Sequence, residues 1–150
     1  SGQLGHGDLQ DQLLPKKGEA LAGLGHGDEQ DQLLPKKVEI LAGQRVVAVS
    51  AGGGHNIALA ADGAVWSWGD AYSGNLGLGD SQSQWQPRKV VGFESQRVVA
   101  VSAGAAHSLA LTADGAAWSW GYGHDGRLGH GDQQDQLLPK KIEAFAGQCV

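Results

Sequence analysis

The apolar residues of this chain fall into short runs with a period of two. Residues 45–51 (RVVAVSA) form a β-branched run that ends in glycines. Residues 55–61 set Ile57 and Leu59 on one face. Asp62-Gly63 follows and reads as a two-residue hairpin turn, because Gly tolerates the positive φ such turns need. Residues 64–69 set Trp66 and Trp68 on one face at the spacing of a strand. The same order returns at 97–103, 107–113, Asp114-Gly115 and 116–121. After Pro35, Pro87 and Pro139 the pattern predicts outer strands over 36–41, 88–93 and 140–145. No segment carries a helical stripe with caps, so the expected class is all-β.

The return of the pattern is an internal repeat. Residues 24–75 and 76–127 are each 52 long and agree at 30 positions without a gap. The phrase LGHGDEQDQLLPKK (24–37) stands almost verbatim at 4–17 and 128–141. The first return comes after only 20 residues, which is 52 − 20 = 32 short of a full unit. Four short strands per 52 residues is the arithmetic of a β-propeller blade. Val, Ala and Ser on the inner strand suit the crowding near a central axis. The fourth strand is expected to close the blade that precedes it in sequence. The expected architecture is a partial β-propeller with two complete four-stranded blades, at 45–93 and 97–145. Residues 1–43 are read as truncated repeat starts with orphan outer strands, and 146–150 as the start of a cut-off next repeat.

Composition narrows this further. Gly is 25 of 150 residues and Met is absent, which argues for tight turns and against a helical bundle. The net charge of −5 gives no basic footprint for nucleic acid. One cysteine, Cys149, excludes an internal disulfide framework. No apolar run is long enough for a membrane span, and the N-terminus lacks a signal-peptide layout. The chain also lacks an initiator Met and reads as part of something longer.

SAGGGHNIALAADGAVWSWG and SAGAAHSLALTADGAAWSWG, each followed by a G-x-LG-x-GD turn, resemble the regulator-of-chromosome-condensation repeats. The shared signatures are Gly-x-x-His, Asp-Gly and Trp-Gly followed by Gly-x-Leu-Gly. The resemblance implies a seven-bladed propeller used as a protein-binding platform. WD repeats fit less well, since the blade ends in Trp-Gly and not Trp-Asp. Kelch repeats also fit less well: Gly52-Gly53 becomes Gly104-Ala105. One light-sensing branch of the family carries Gly-Trp-Arg-His-Thr. Here Gly53 and Ala105 replace that Trp, and Gly54 and Ala106 replace that Arg, so light sensing does not carry over.

Few residues suggest chemistry. GYGHDG (121–126) fits a dinucleotide formula, but a turn follows where a helix is needed. His6, His26 and His130 sit in GHGD turns beside Asp8, Asp28 and Asp132. One His and one Asp per turn are too few for a metal, and Leu78 holds the position in another copy. GHGDEQD lacks the acidic ladder of a calcium loop. His55 and His107 recur at one blade position and read as structural hydrogen-bonding groups, with a partner-facing rim as the other reading. Trp66, Trp68, Trp118 and Trp120 read as packing residues, and Asp62, Gly63, Asp114 and Gly115 as turn residues. Trp85 is the one Trp not dictated by the repeat.

No catalytic set, cofactor or metal is therefore expected. The leading reading is a non-catalytic protein-interaction module. Residues that vary between units are the candidate contacts: Trp85, Gln86, Asp70, Tyr72, Tyr122, His124 and Asp125. The family's alternatives are part of a nucleotide exchange factor for a small GTPase, or of the repeat region of a HECT-type ubiquitin ligase. Cys149 does not resemble the ligase cysteine, since it replaces the Arg of QRV. A chain without independent function is a further reading, supported by the 32-residue skip. The partner is expected to be a protein, with no direct nucleic acid or membrane contact. Two blades would leave open apolar faces and unpaired edge strands, so either self-association into a larger ring or marginal folding is also expected.

Overall fold

The computed structural model describes residues 38–145. Residues 1–37 of the truncated repeat starts, with the turns around His6 and His26, and Cys149 lie outside the described residues. Two four-stranded antiparallel sheets make up the fold. The first runs β1 (Val46–Ala51), β2 (His55–Ala60), β3 (Val65–Gly69), β4 (Gln84–Lys89). The second runs β5 (Val98–Ala103), β6 (His107–Thr112), β7 (Ala117–Gly121), β8 (Gln136–Lys141). Every strand of the second sheet lies 52 residues after its counterpart. Each sheet is a meander in chain order, so β4 does close the blade that precedes it. The fold is a partial β-propeller.

Cross-strand register sorts the side chains onto two faces. Val49 opposes Ala58, and Ala58 opposes Trp66, so these three share one face of the first sheet. Ile57 opposes Ser67, and Leu59 opposes Val65, so these share the other. The face with Val49 and Trp66 is here termed proximal, and the face with Ile57 distal. In the second sheet Ala110, Trp118 and Trp120 are proximal, while Leu109 and Leu111 are distal. The core forms where the distal face of the first sheet meets the proximal face of the second. Ile57, Leu59, Val65, Val90 and Phe93 pack there against Val98, Ala110 and Trp120. The Phe93 ring meets the edges of Trp118 and Trp120, with centroids 5.4 and 5.9 Å apart.

The inner strands approach closely because their tips are glycine. The Gly53 N–H donates to the Gly104 carbonyl at 3.2 Å, and the Ala103 N–H donates to Ser50 Oγ at 3.0 Å. A Cβ on Gly52 would collide with the Gly104 carbonyl, and one on Gly53 would lie 2.7 Å from the Ala105 oxygen.

Two sequence expectations need correction. The outer strands do not begin after proline. β4 runs through Pro87 and β8 through Pro139, and β4 ends at Lys89. Proline is tolerated because the β3–β4 register breaks between Ser67 and Gly69, which spares the missing N–H a ladder partner. Past the strands, Glu143–Phe145 is a 3-10 turn. So is Glu39–Leu41, which lies in the strand expected over 36–41, of which residues 38–41 are described. The hairpin at Asp62-Gly63 is also longer than two residues. The Ala60 N–H donates to the Ala64 carbonyl, which leaves Ala61, Asp62 and Gly63 as a three-residue loop. Gly63 closes it at φ 88, and Asp62 Oδ1 accepts from the Ala64 N–H at 3.0 Å. Three-residue loops of this kind place Gly in the left-handed region.

Candidate interaction surface

The meander puts the β1–β2 turns and the β3–β4 loops at one end of the sheets. Residues 70–83 and 122–135 therefore share that end. In the second loop the rings of Tyr122 and His124 stack, with centroids 4.7 Å apart and planes 17° apart. The Arg127 guanidinium lies 4.8 Å from the centre of the Tyr122 ring. Arg127 also donates through Nη2 to Asp125 Oδ2 at 2.9 Å and through Nε to the His124 carbonyl at 2.8 Å. Asp125 holds this geometry at φ 60, and Ser73 takes φ 53 at the matching place in the first loop. The loop is braced from below, where the Gly123 N–H donates to Asp135 Oδ1 and the Tyr122 N–H to the Ala106 carbonyl.

The first loop holds Tyr72, which is 67 % exposed. Asp70 is half-buried, and its N–H donates to the Gly54 carbonyl at 2.8 Å. Trp85 is half-buried and Gln86 exposed, at the start of edge strand β4 beside this loop. Arg127 was absent from the sequence-derived contact set. Its signal was an Arg where the first unit has Asn75.

His55 is buried and ties the sheets together. Its Nε2 lies 2.8 Å from Ser108 Oγ, and the Ser108 hydroxyl donates to the Asn75 carbonyl at 2.9 Å. The hydroxyl proton is thus committed, so Nε2–H donates to Oγ. His55 Nδ1 is buried without a partner. Burial, with the neighbouring His107 as a second cause, lowers the His55 pKa to about 4. His107 is half-buried, and its pKa is lowered by burial first and by Arg127 second.

A second serine–histidine pair looks like chemistry and is not arranged for it. Ser119 Oγ is 2.9 Å from His130 Nε2, with Asp132 two residues on. Yet Ser119 is fully buried, and its hydroxyl donates to the Leu128 carbonyl at 2.6 Å. Ser67 makes the same bond to the Leu76 carbonyl, with no histidine at position 78. The hydroxyl therefore serves the turn in both blades.

The other candidates carry little. GYGHDG forms a loop with a 3-10 turn at His124–Gly126, and no α-helix opens behind it. Among the described residues no three His, Cys, Asp or Glu side chains converge on a metal position. A cavity of about 510 Å³ lies at the opposite end, lined in part by Asp62, Lys89, Phe93, Glu94 and Arg97. Among the described residues no helix is long and apolar enough to cross a membrane.

Paired antiparallel sheets in sequential 52-residue register, joined face to face, define a β-propeller repeat protein. The pattern of the regulator of chromosome condensation (RCC1) repeat matches residues 22–59, 62–111 and 114–150. A second form of that pattern matches 46–75 and 98–127. The chain belongs to the RCC1 repeat family. It is 47% identical over 104 residues to the E3 ubiquitin-protein ligase HERC2 of Homo sapiens, covering 69% of this chain and 2% of that protein. It is 35% identical over 147 residues to the ultraviolet-B receptor UVR8 of Arabidopsis thaliana, covering 98% of this chain and 29% of that protein. Among solved structures it is similar to Prp20p from Saccharomyces cerevisiae, described with its binding properties to Gsp1p and histones. There the TM-score is 0.72 at 26% identity, over 87% of this chain and 34% of that one. Human WBSCR16 gives a TM-score of 0.60 at 30% identity, over 64% of this chain and 25% of that one. This chain thus spans between 2% and 34% of these four proteins' lengths.

Proposed function

We propose that the chain is a non-catalytic protein-interaction module whose partner surface is the loop end of the two blades. The observation that carries this reading is the stacked Tyr122–His124–Arg127 group, at the same end of the sheets as exposed Tyr72. Tyr and Arg held rigid on a surface are the side chains that dominate protein–protein binding energy. The repeat does not dictate them: Tyr122 stands where the first unit has Asp70, and Arg127 where it has Asn75. Trp85, Gln86, Asp70 and Asp125 complete the surface. The chemistry that would argue otherwise is tied up in structure, since the hydroxyls of Ser108 and Ser119 both donate to backbone carbonyls. Membership of longer proteins also fits, whether a ubiquitin ligase such as HERC2 or a propeller such as Prp20p, described with its binding to Gsp1p and histones.

The test is quantitative affinity capture with the wild-type chain and with a Tyr72→Ala, Tyr122→Ala, Arg127→Ala variant, followed by titration of the purified partner. Loss of hot-spot side chains costs about 2 kcal/mol or more, which is ~30-fold in affinity. The reading expects a protein held by the wild-type chain and weakened by at least that factor. Unchanged affinity in the triple variant would overturn it.

A further inference from the structure

The two β3–β4-type loops close with the same pair of hydrogen bonds but with different side chains. In the second blade Asp132 Oδ1 accepts from the Gln134 N–H at 3.0 Å, and Asp135 Oδ1 accepts from the Gly123 N–H at 2.8 Å. In the first blade Asp80 Oδ1 accepts from the Gln82 N–H at 2.9 Å, and Ser83 Oγ accepts from the Ala71 N–H at 3.1 Å. Ser83 therefore stands in the place of Asp135. The phrase at 24–37 has Asp31 there as well. The position suits an anion, and one copy fills it with a neutral hydroxyl. That hydroxyl also differs from those of Ser67, Ser108 and Ser119. Those three are buried and donate to backbone carbonyls. Ser83 is exposed and donates to nothing among the described residues. Residues 81–83 belong to no helix or strand.

We propose that Ser83 is a phosphorylation site, and that its phosphate takes the role the Asp135 carboxylate plays in the second blade. The reaction is phosphoryl transfer from ATP by a protein kinase. Ser83 Oγ attacks the γ-phosphorus, an O–P bond forms, and the bond to the β,γ-bridging oxygen breaks. ADP leaves with that electron pair, and the hydroxyl proton passes to the kinase's base. An exposed segment outside the strands can enter a kinase cleft without unfolding the sheet. The phosphate brings a charge of about −1.5 to −2 and strong acceptor oxygens. A charged acceptor tightens the clasp on the Ala71 N–H. Ala71 precedes Tyr72, so the modification fixes the loop that carries that exposed ring. Sequence supplies the kinase class. Ser81-Gln82, Ser83-Gln84 and Ser95-Gln96 are the chain's Ser-Gln pairs, the dipeptide read by kinases that require glutamine after the acceptor. Ser95 is the internal contrast. It stands where other units have Gly43 and Gly147, and its turn is closed by the Gln96 N–H donating to the Phe93 carbonyl at 3.0 Å. The 70–83 loop is seated within the two blades, where the Gly79 N–H donates to the Leu137 carbonyl at 3.0 Å. The inference does not depend on the loop-end surface having a partner.

The test uses the 150-residue chain, magnesium ATP and a kinase that requires glutamine after the acceptor serine, with sites read by mass spectrometry. Phosphate is expected on Ser83 about tenfold faster than on Ser95, whose turn must open first. Ser81→Ala separates the neighbouring serine and should leave labelling of Ser83 in place. Phosphoserine is then installed at 83, and exchange of the Ala71 amide is followed. A charged acceptor roughly doubles the strength of the bond, so the amide should exchange about fivefold more slowly. Ser83→Asp should slow it in the same direction, and Ser83→Ala should speed it. Far-ultraviolet circular dichroism reports folding. A Ser83 that stays unlabelled, or is labelled no faster than Ser95, overturns the inference. So does an Ala71 amide that neither phosphoserine nor Ser83→Asp slows.

Discussion

His55 Nε2 and Ser108 Oγ lie 2.8 Å apart across the seam between the two sheets, in a buried site and 53 residues apart in sequence. The bond joins the distal face of one blade to the proximal face of the next. It also fixes the tautomer, because the Ser108 hydroxyl gives its proton to the Asn75 carbonyl. Replacing Ser108 with Ala would leave the buried Nε2–H without an acceptor. That loss is expected to cost about 1–3 kcal/mol. Urea denaturation of Ser108→Ala checks it, and an unchanged midpoint would remove the clasp from the account.

The same histidine sets a pH dependence. The folded chain holds His55 at about 4, below the 6.5 of an unperturbed histidine, chiefly through burial. Between those values the unfolded chain binds more protons, so stability rises with pH. The contribution is fully present above pH 6.5 and is lost as pH falls through 4. Its size is at most about 3 kcal/mol. His107 and His130 are shifted in the same direction and add to the slope. Thermal midpoints of the wild-type chain should therefore drop on acidification over this window. His55→Gln should drop less steeply, and parallel curves would count against a buried neutral His55.

Phe93 is the wedge of the shared core, with its ring against Trp118 and Trp120. Truncating a buried Phe removes apolar contact and leaves a cavity. Phe93→Ala is expected to cost about 3–5 kcal/mol. Because both partners are Trp, the change should also alter their fluorescence in the folded state. A loss below about 1 kcal/mol would mean that the sheets are not held by this contact.

Glycines at positive φ separate into two kinds. Gly69 lies at φ 113, and a Cβ there would come within 2.8 Å of the His55 Cα. Gly126 lies at φ 67 with open space around it. Gly126→Ala is expected to cost only the left-handed conformation, about 1–2 kcal/mol. Gly69→Ala adds a backbone collision and should cost clearly more. Equal losses in paired denaturation curves would show that the close approach at Gly69 is not real.

Ser119 gives a test of the non-catalytic reading. A fluorophosphonate probe labels activated serines. The buried Ser119, committed to the Leu128 carbonyl, should remain unlabelled in the folded chain. Stoichiometric labelling at Ser119 would make the Ser119–His130 pair chemical after all.

Much of the fold was legible because its unit is local and repeated. Trp66 with Trp68, and Ile57 with Leu59, declare strand faces at period two, and the 52-residue step carries each strand to its counterpart. The outer strands were misplaced because proline was read as a boundary. At Pro87 the register break makes it an interior residue, which depends on β3 and is invisible locally. The His55–Ser108 clasp was illegible for a similar reason. Ser108 aligns with Asn56, so the repeat gave no hint of an acceptor. At the loop end, variation between units picked out Tyr122, His124 and Asp125. It missed Arg127, whose role exists only once the loop folds the chain back over Tyr122.

The central claim is that the two blades form one cooperative body that holds the loop end in a fixed shape. Native-state hydrogen exchange of the 150-residue chain tests it most directly. The account predicts that core amides of β2, β3, β6 and β7 exchange together, at the free energy of global unfolding, and that Phe93→Ala accelerates both sheets equally. Exchange of one sheet while the other stays protected would contradict it, because blades that open separately do not hold Tyr72 and Tyr122 on one surface.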